Sequence, residues 1–313
     1  MVATSYRFYH MHTTEKEMTM NNSFSSVTDT YELSNGIQIP CVGFGTWQTP
    51  DGEVAYSSVK AALECGYRHI DTATAYGNEE SVGRAINDFL KESGLDRKEL
   101  FITTKLWNRH HSYELAKAGI EESLRKLGLD YIDLYLVHWP NPAMFRDHWQ
   151  QANADSWRAM EEAVDAGKIR ALGISNFRQH HIEELLRTAR IRPVVNQIKL
   201  CPGICQDELV EYSRKNGMLI EAYSPMGTGG VLKDEFMNSL ARKYGHTVAQ
   251  ICIHYSLQRG YLPLPKSVTP SRIRENMDSF GFTIEEEDMK KIDTLSHEGL
   301  DIVPLRDPDV VTF

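Results

Sequence analysis

Long apolar runs, paired cysteines and an excess of basic residues are all missing from this sequence. No uninterrupted apolar segment approaches the ~20 residues of a membrane-spanning helix, so we expect no membrane partner. The chain holds 34 Lys and Arg against 43 Asp and Glu, a net charge of −9. Because a nucleic-acid-binding protein needs a basic face toward the phosphates, this balance argues against DNA and RNA as partners.

The five cysteines lack the spacing of a metal site or a disulfide framework. Their number is odd, and only Cys201 and Cys205 lie close together, with three residues between them. We interpret both as small buried or half-buried thiols. Unpaired thiols suit a reducing compartment, so we expect a cytoplasmic protein.

The first 27 residues lack the apolar centre of about 7–15 residues that a secretory signal carries. We interpret residues 1–27 as a polar extension and expect it to be disordered. Residues 28–313 would then form a single domain, which is long enough for one α/β barrel of about 250 residues.

This domain contains one repeated pattern: a short β-rich run, an amphipathic segment that usually ends in glycine, and then the next β-rich run. The predicted strands are CVGFGT, YRHID, LFITTKL, YIDLYLVHW, IRALGIS, PVVNQI, MLIEAYS and YLPLPKS. The predicted helices lie near 52–65, 78–93, 111–127, 150–167, 178–189, 204–216 and 246–259, with a last one from Ser271. Ahead of them, Asn35-Gly36 between two short alternating runs predicts a β-hairpin.

Eight strands that alternate with helices close into a (β/α)8 barrel or lie open as a doubly wound sheet. An open sheet usually shows Gly-x-Gly-x-x-Gly after its first strand, where the backbone approaches a dinucleotide. Here Gly43 and Gly45 are present, but Gln48 stands where the third glycine should be. We therefore predict the barrel.

In such a barrel the loops after the strands converge on one rim, where the chemistry takes place. Polar or aromatic residues follow every predicted strand: Trp47; Asp71 and Tyr76; Lys105 and Trp107; His138 and Trp139; Ser175 and Asn176; Gln197; Tyr223 and Ser224; Lys266 and Ser267. One polar strand end is ordinary, whereas a complete ring of them predicts an active site.

The titratable members of this ring suggest acid catalysis by a tyrosine. A phenol with a pKa of about 10 is a poor donor at neutral pH, and a nearby ammonium lowers that pKa. We expect Lys105 to act in this way on Tyr76, with Asp71 keeping the lysine charged. His138 would align a substrate oxygen. Singly, each residue could be a helix cap, a solvated charge or a core histidine; together they favour catalysis.

Three of the five tryptophans, Trp47, Trp107 and Trp139, lie on three of these loops. Aromatic side chains beside polar catalytic candidates predict an apolar-walled pocket for a small organic carbonyl compound.

At these residues the sequence resembles the aldo-keto reductases. The segments that carry the resemblance follow in order between about Tyr31 and Phe313: GYRHIDTATAYGNEESVG, ITTKLW, LYLVHWP, GISNF, VNQI and LPKSVTPSRIREN. Within the family, the sequence is similar to the bacterial 2,5-diketo-D-gluconate reductase-like and prostaglandin F synthase-like branch. The resemblance implies a (β/α)8 TIM barrel with an N-terminal β-hairpin closing its bottom. It also implies NAD(P)H-dependent reduction of aldehydes or ketones to alcohols.

The resemblance further implies a role for each matching residue. Tyr76 would be the general acid, tuned by Lys105 and Asp71, and His138 would orient the carbonyl, with Trp47, Trp107 and Trp139 around the substrate. The implied cofactor contacts are Gly45, Thr46, Trp47 and Asp71; Ser175, Asn176 and Gln197 on the carboxamide; Tyr223 on the nicotinamide ring; Ser224, Met226 and Gly227 along the pyrophosphate; and Lys266, Ser267, Val268, Thr269, Arg272, Glu275 and Asn276 at the adenosine end.

Lys266 and Arg272 also suggest a phosphate site on physical grounds. Two cations beside the hydroxyls of Ser267 and Thr269, just before a predicted helix, form a suitable receptor for a phosphate group. A ribose 2′-phosphate is the obvious candidate, so we predict NADPH rather than NADH.

Two other classes of protein are alternatives to a carbonyl reductase. The alternative to an enzyme is a non-catalytic barrel, either an NADP(H)-binding sensor or a structural protein. A metal-dependent hydrolase needs clustered ligands, and we expect the side chains of His110-His111 and His180-His181 to diverge, so we predict no metal. We also expect a monomer.

The sequence departs from the family pattern at a few positions. Lys199 and Cys201 stand where relatives more often show an acid and a histidine, and we expect no chemistry from either. The loop after Met226 looks short. The C-terminal tail falls over the substrate mouth, where family members vary most, so the choice of substrate stays open.

Overall fold

The computed structural model describes residues 24–313, which form a barrel preceded by a hairpin. The hairpin strands are β1 (Thr30–Glu32) and β2 (Gln38–Pro40), which pair in antiparallel fashion. Gly36 has a φ of 81°, a backbone conformation that favours glycine, so the hairpin predicted at Asn35-Gly36 is confirmed.

Eight parallel strands follow, each paired with the next in chain order. They are β3 (Phe44–Gly45), β4 (His69–Asp71), β5 (Phe101–Leu106), β6 (Ile132–Val137), β7 (Ile169–Ser175), β8 (Val195–Lys199), β9 (Leu219–Tyr223) and β10 (Leu262–Leu264). The backbone N–H groups of Gly43 and Gly45 donate to the carbonyls of Pro263 and Pro265 at 3.1 and 2.9 Å. These two hydrogen bonds bring the first and last strands together, and the predicted (β/α)8 barrel is confirmed.

Glycine is required at position 43 because the inside of the barrel is full. A Cβ atom there would lie 2.5 Å from the side chain of Leu264 and 2.6 Å from the His69 ring. Either contact is too short, so any larger residue would force β3 away from its neighbours.

The helices of the described part of the chain surround the sheet or follow it. They are α1 (Glu53–Cys65), α2 (Glu79–Ser93), α3 (Tyr113–Leu127), α4 (Trp149–Asp165), α5 (Gln179–Leu186), α6 (Asp207–Lys215), α7 (Glu235–Tyr244), α8 (Val248–Gln258), α9 (Pro270–Met277) and α10 (Glu286–Asp293). The sequence did not predict α7, and a single last helix from Ser271 was wrong, because the chain forms both α9 and α10. None of the helices in residues 24–313 is long and apolar enough to cross a bilayer.

The hairpin covers the end of the barrel at which the strands begin. Ile39 is fully buried, and the Tyr31 hydroxyl donates to the backbone carbonyl of Tyr261 at 3.1 Å, just before β10. Because this end is closed, the accessible end is the opposite one, where the predicted site residues lie.

The N-terminal extension predicted for residues 1–27 lies mostly outside the described residues. Its last four residues are described, and two of them pack against the rest of the protein. Phe24 packs edge-on against Tyr31 with ring centroids 4.7 Å apart, and Val27 is only 7% exposed. The packed part of the chain therefore includes residues that we had assigned to the extension.

Candidate active site

A cavity of about 960 Å³ opens at the carboxyl ends of the strands, and its wall takes residues from the ends of all eight. The predicted residues that lie on it are Gly45, Trp47, Asp71, Tyr76, Trp107, His138, Trp139, Ser175, Asn176, Gln197, Tyr223, Ser224, Met226, Lys266, Ser267, Arg272, Glu275 and Asn276. The barrel thus brings together residues that are up to 231 positions apart in the chain (Gly45 to Asn276).

Five predicted residues are not on the wall: Thr46, Lys105, Gly227, Val268 and Thr269. Lys105 lies beneath Tyr76 and contacts it. Thr46 is fully buried, and both its N–H and its hydroxyl donate to the backbone carbonyl of Asp71 at 3.0 Å. Thr46 therefore holds Asp71 in place, whereas Val268 and Thr269 are exposed at the start of α9.

A buried ion pair forms the floor of the cavity. Lys105 is 0% exposed, and its Nζ lies 2.7 and 2.8 Å from the two carboxylate oxygens of Asp71. The same ammonium donates to the Thr72 carbonyl at 2.8 Å. Burial is the largest single effect and disfavours the charged lysine, but Asp71 and Tyr76 together outweigh it, and the pKa of Lys105 is raised. The ammonium therefore stays charged at neutral pH.

Tyr76 stands directly above this pair. It ends a single helical turn after β4 (Thr74–Tyr76), and its hydroxyl oxygen accepts a hydrogen bond from Lys105 Nζ at 3.3 Å. Burial raises the pKa of Tyr76 and outweighs the opposing effect of Lys105. Our expectation that the lysine would bring this pKa below its usual value was wrong, because it neglected desolvation. The phenol is protonated at neutral pH, the form that a proton donor must have.

His138 faces Tyr76 across the cavity floor. The two ring centroids are 5.8 Å apart, and the Trp107 ring packs edge-on against the histidine at 5.2 Å. Burial, Lys105 and His111 hold the pKa of His138 well below its usual value. The ring is therefore neutral at pH 7 and carries one N–H that can donate to a substrate oxygen.

Gln197 connects this floor to a carboxyl group that the sequence reasoning missed. Its Nε2 donates to Asp71 Oδ2 at 2.9 Å and to Glu221 Oε2 at 2.7 Å. Both N–H bonds of the amide are used, so its orientation is fixed and its oxygen is left to accept from a ligand.

Glu221 is fully buried on β9 inside the barrel. Burial, and then the charge of Asp71, raise its pKa to about 8. It is therefore mostly protonated at neutral pH. Glu221 could have been identified from the sequence, because it is an acidic residue in the middle of the predicted strand MLIEAYS.

Asn176 and Tyr223 form another part of the cavity wall. The Tyr223 hydroxyl donates to Asn176 Oδ1 at 2.9 Å, and Asn176 Nδ2 donates to the His138 carbonyl at 3.0 Å. Asn176 has a φ of 62°, a left-handed conformation that asparagine tolerates better than most residues. Both ends of its amide already have partners within the protein.

The far end of the cavity carries the two predicted cations. Lys266 Nζ donates to the Gln48 carbonyl at 3.2 Å, and burial lowers its pKa. Arg272 is exposed in the first turn of α9. Both line the wall beside Ser267, as a receptor for a phosphate group requires.

The C-terminal tail covers part of the mouth, as expected. The Phe313 ring stacks on Trp107 with centroids 5.8 Å apart and meets Trp139 edge-on at 5.4 Å. Asn108 Nδ2 donates to the Phe313 carbonyl at 3.0 Å. The sequence reasoning placed the tail there but named no site residue in it, because the tail lacks any periodic pattern.

Our expectation that His180 and His181 would diverge was wrong. Their ring centroids are 3.8 Å apart, and with Asp309 they are the one group in residues 24–313 that could approach a metal ion. His181 Nδ1 accepts the Arg178 backbone N–H, so the neutral ring carries its proton on Nε2 and donates it to Asp309 at 2.9 Å. The cluster therefore ties the tail to α5 and offers His181 no free lone pair for a metal.

Comparison with known proteins identifies the class to which this barrel belongs. The model of the Aldo/keto reductase family matches residues 41–297. The chain therefore belongs to this family of oxidoreductases that act on carbonyl compounds.

Individual relatives resemble the chain over most of its length. It is 45% identical to a glyoxal reductase of Bacillus subtilis over 274 residues, covering 88% of this chain and 95% of the relative. It is 42% identical to an aldehyde reductase of Saccharomyces cerevisiae over 292 residues (85% and 90%). It is also 40% identical to a 9,11-endoperoxide prostaglandin H2 reductase of Trypanosoma cruzi over 282 residues (89% and 94%).

Solved structures share the fold. An aldo-keto reductase from a deep-sea metagenome library superposes with a TM-score of 0.81 at 40% identity, covering 91% of this chain and all of that chain. A Bombyx mori aldo-keto reductase in complex with NADP gives 0.77 at 36% identity (85% and 92%). One of these structural relatives, the Bombyx mori enzyme, therefore binds a nicotinamide cofactor.

Proposed function

We propose that the protein reduces an aldehyde or ketone to an alcohol, with NADPH as the hydride source and Tyr76 as the proton donor. The observation that carries this proposal is the placement of a protonated phenol 3.3 Å from a charged, fully buried ammonium on the cavity floor. A bound nicotinamide would supply the hydride.

The chain's own residues account for the rest of the chemistry. The neutral His138 donates its N–H to the substrate oxygen and orients the carbonyl. As negative charge develops on that oxygen, Tyr76 transfers its proton to it. Lys105 stabilises the phenolate that is left, and Asp71 keeps the lysine charged throughout. The aromatic wall of Trp47, Trp107 and Trp139 limits the access of water to these groups.

The polar groups of the wall fit the proposed cofactor. The Gln197 oxygen is free to accept from a carboxamide N–H, because both N–H bonds of its own amide are used. Ser175 and Asn176 stand beside it, and Tyr223 offers a ring face for stacking. Ser224, Met226 and Gly227 would follow the pyrophosphate, and Lys266 and Arg272 support a 2′-phosphate and hence NADPH.

Substitution of Tyr76 by phenylalanine tests the acid assignment. Tyr76→Phe removes the transferred proton but keeps the ring, so kcat should fall at least about 100-fold while the dissociation constant for NADPH stays near the wild-type value. The loss of NADPH absorbance with an aromatic aldehyde measures kcat. Quenching of protein fluorescence measures the dissociation constant for NADPH. Normal turnover by the variant would show that another group donates the proton.

The competing function is a non-catalytic NADP(H)-binding barrel, a sensor or a structural protein. The complete set of Asp71, Tyr76, Lys105 and His138 around one cavity argues for catalysis. If the wild-type protein binds NADPH but consumes none with a series of aldehydes, keto sugars and ketosteroids, the binding function is the correct one.

The proposal extends to the family branch, the substrate, the location and the oligomeric state of the protein. We place the protein beside the 2,5-diketo-D-gluconate reductase-like and prostaglandin F synthase-like branch, and we propose a small dicarbonyl or other reactive aldehyde as a substrate worth testing, because the glyoxal reductase relative is 45% identical. We also propose a cytoplasmic monomer with one barrel domain over residues 28–313. Gel filtration and an activity screen test these points.

A further inference from the structure

The cavity wall carries more positive charge than the proposed function uses. It holds four cations and two carboxylates: Lys199, Lys266, Arg272, Arg306, Asp71 and Glu275. Asp71 is neutralised by Lys105, and Glu275 accepts a hydrogen bond from the Thr247 hydroxyl at 2.8 Å. Lys266 and Arg272 are assigned to a ribose phosphate at the start of α9, so Lys199 and Arg306 are left without an anion.

Lys199 is buried and faces the cavity. It ends β8 two residues after Gln197, so its side chain lies on the same face of the strand, and its backbone pairs in register with Tyr223. Lys199 is 3% exposed, yet among the described residues its ammonium donates only to the Val303 carbonyl of the tail and has no carboxylate within 4.0 Å. A buried charge without a counter-ion is costly, and burial accordingly lowers the pKa of this lysine.

Arg306 brings a second positive charge to the same region. In residues 24–313 it forms no ion pair, and its guanidinium lies 5.3 Å from the centroid of the Phe313 ring. Arg306 lines the same cavity as Lys199 and Tyr223, and its charge acts to lower the pKa of both. Burial is the larger effect at each residue: it lowers the pKa of Lys199 and raises that of Tyr223. Two neighbouring cations repel each other, and an anion between them would relieve that repulsion.

We propose that Lys199 and Arg306 form an oxyanion subsite of the cavity, between the ends of β8 and β9 and the C-terminal tail, which binds a phosphate or carboxylate group. The proposal rests on the proposed function, because its ligand shares the cavity with the reaction. The oxyanion has two chemical sources, the diphosphate of the nicotinamide cofactor or an anionic group on the carbonyl substrate.

Three variants test the subsite. Lys199→Met removes the charge and keeps much of the side-chain length, whereas Lys199→Arg retains the charge. Lys215→Met is the control, because Lys215 is an exposed lysine of α6 that pairs with Glu211 outside the cavity. The readouts are the dissociation constant for NADPH and the KM values for 4-carboxybenzaldehyde and for the uncharged 4-nitrobenzaldehyde.

A charge-assisted hydrogen bond of ordinary strength predicts an effect of about ten- to hundredfold in Lys199→Met, and little effect in Lys199→Arg or Lys215→Met. Weaker NADPH binding by that factor identifies the cofactor diphosphate as the ligand. A rise in KM confined to 4-carboxybenzaldehyde identifies the substrate anion. An unchanged dissociation constant together with equal KM changes for both aldehydes overturns the proposal and leaves Lys199 as a tether of the tail.

Thermal melting shows whether a loss of binding comes from misfolding of the variant. It also tests the oxyanion subsite independently of the proposed function. Without ligand, Lys199→Met should melt at the wild-type temperature or higher, because it removes a buried unpaired charge. Pyrophosphate alone should raise the melting temperature of the wild type more than that of Lys199→Met, in which only the phosphate receptor at Lys266 and Arg272 remains intact. Equal stabilisation of both proteins overturns the subsite. A wild type stabilised by pyrophosphate but inactive with NADPH overturns only the proposed function.

Discussion

At the scale of single residues, desolvation rather than pairing sets the charge of most groups around the cavity. Tyr76 and Glu221 have raised pKa values, and His138 has a lowered one, with burial as the largest cause in each case. All three are therefore neutral at pH 7. Lys105 is the exception, because it contacts both carboxylate oxygens of Asp71. The floor thus holds one ion pair within a neutral surround.

Glu221 leads to a prediction about pH and stability. Its pKa is about 8 in the folded protein against an ordinary 4.5, so the unfolded chain releases this proton first and the folded state loses stability as pH rises from 4.5 to 8. Glu221→Gln keeps the neutral form at every pH. Its stability relative to the wild type should therefore increase by about 1.4 kcal/mol per pH unit across that window and level off above it.

The measurement is denaturant unfolding at several pH values between 5 and 9. Glu208→Gln, at an exposed position of α6, is the matched control and should show no such trend. A constant difference between Glu221→Gln and the wild type over the whole range would contradict the raised pKa.

Arg272 leads to a prediction about cofactor choice. Arg272→Ala should weaken NADPH binding about tenfold or more and leave NADH binding nearly unchanged, because only NADPH carries the 2′-phosphate. Fluorescence titration with each cofactor measures the effect. Arg274→Ala is the control, since Arg274 lies on the same helix but not on the cavity wall. An equal loss for both cofactors would refute the assignment of Arg272 to this phosphate.

At the scale of elements, α7 shows where pattern recognition failed. The segment GTGGVLKDE is rich in glycine and was interpreted as a short loop, which hid the helix that follows it. The start signal was nevertheless present: Asp234 caps α7, and its Oδ1 accepts the Met237 N–H at 2.8 Å. Met237 and Leu240 then pack with residues of α8 and α10 in a core cluster outside the barrel.

This cap supplies a prediction. Asp234→Ala should lower the free energy of unfolding by about 1 kcal/mol and speed hydrogen exchange in α7, because one N–H at the helix start loses its acceptor. Asp234→Asn should behave like the wild type, since asparagine caps equally well. Unchanged exchange in α7 of Asp234→Ala would mean that packing against α8 alone maintains the helix.

At the scale of the whole molecule, buried neutral histidines limit stability in acid. His69 and His111 are completely buried, and burial lowers the pKa of each to about 3, against an ordinary 6.5. Below pH 6.5 the unfolded chain binds protons that the folded protein excludes, so stability falls as pH falls from 6.5 toward 3. Each histidine should contribute about 1.4 kcal/mol per pH unit to this loss.

Urea unfolding at pH 7, 6 and 5 measures the slope. His111→Leu removes one of these buried histidines and should flatten the slope by about 1.4 kcal/mol per pH unit, whatever its effect on stability at pH 7. A slope identical to that of the wild type would show that His111 takes up its proton without unfolding.

The sequence by itself determined the architecture and most of the cavity wall, for a simple reason. Strand and helix patterns are local, and in a parallel barrel the residue after each strand must reach the same rim. Asp71, Lys105, His138 and Gln197 could therefore be placed in one site without coordinates. Only the tertiary structure decided how these groups are charged, because burial depends on everything that packs around them. It also brought Lys199 and the tail residue Phe313 to the cavity wall and Glu221 into contact with Gln197, through inward-facing strand positions and a tail whose path no periodic pattern encodes.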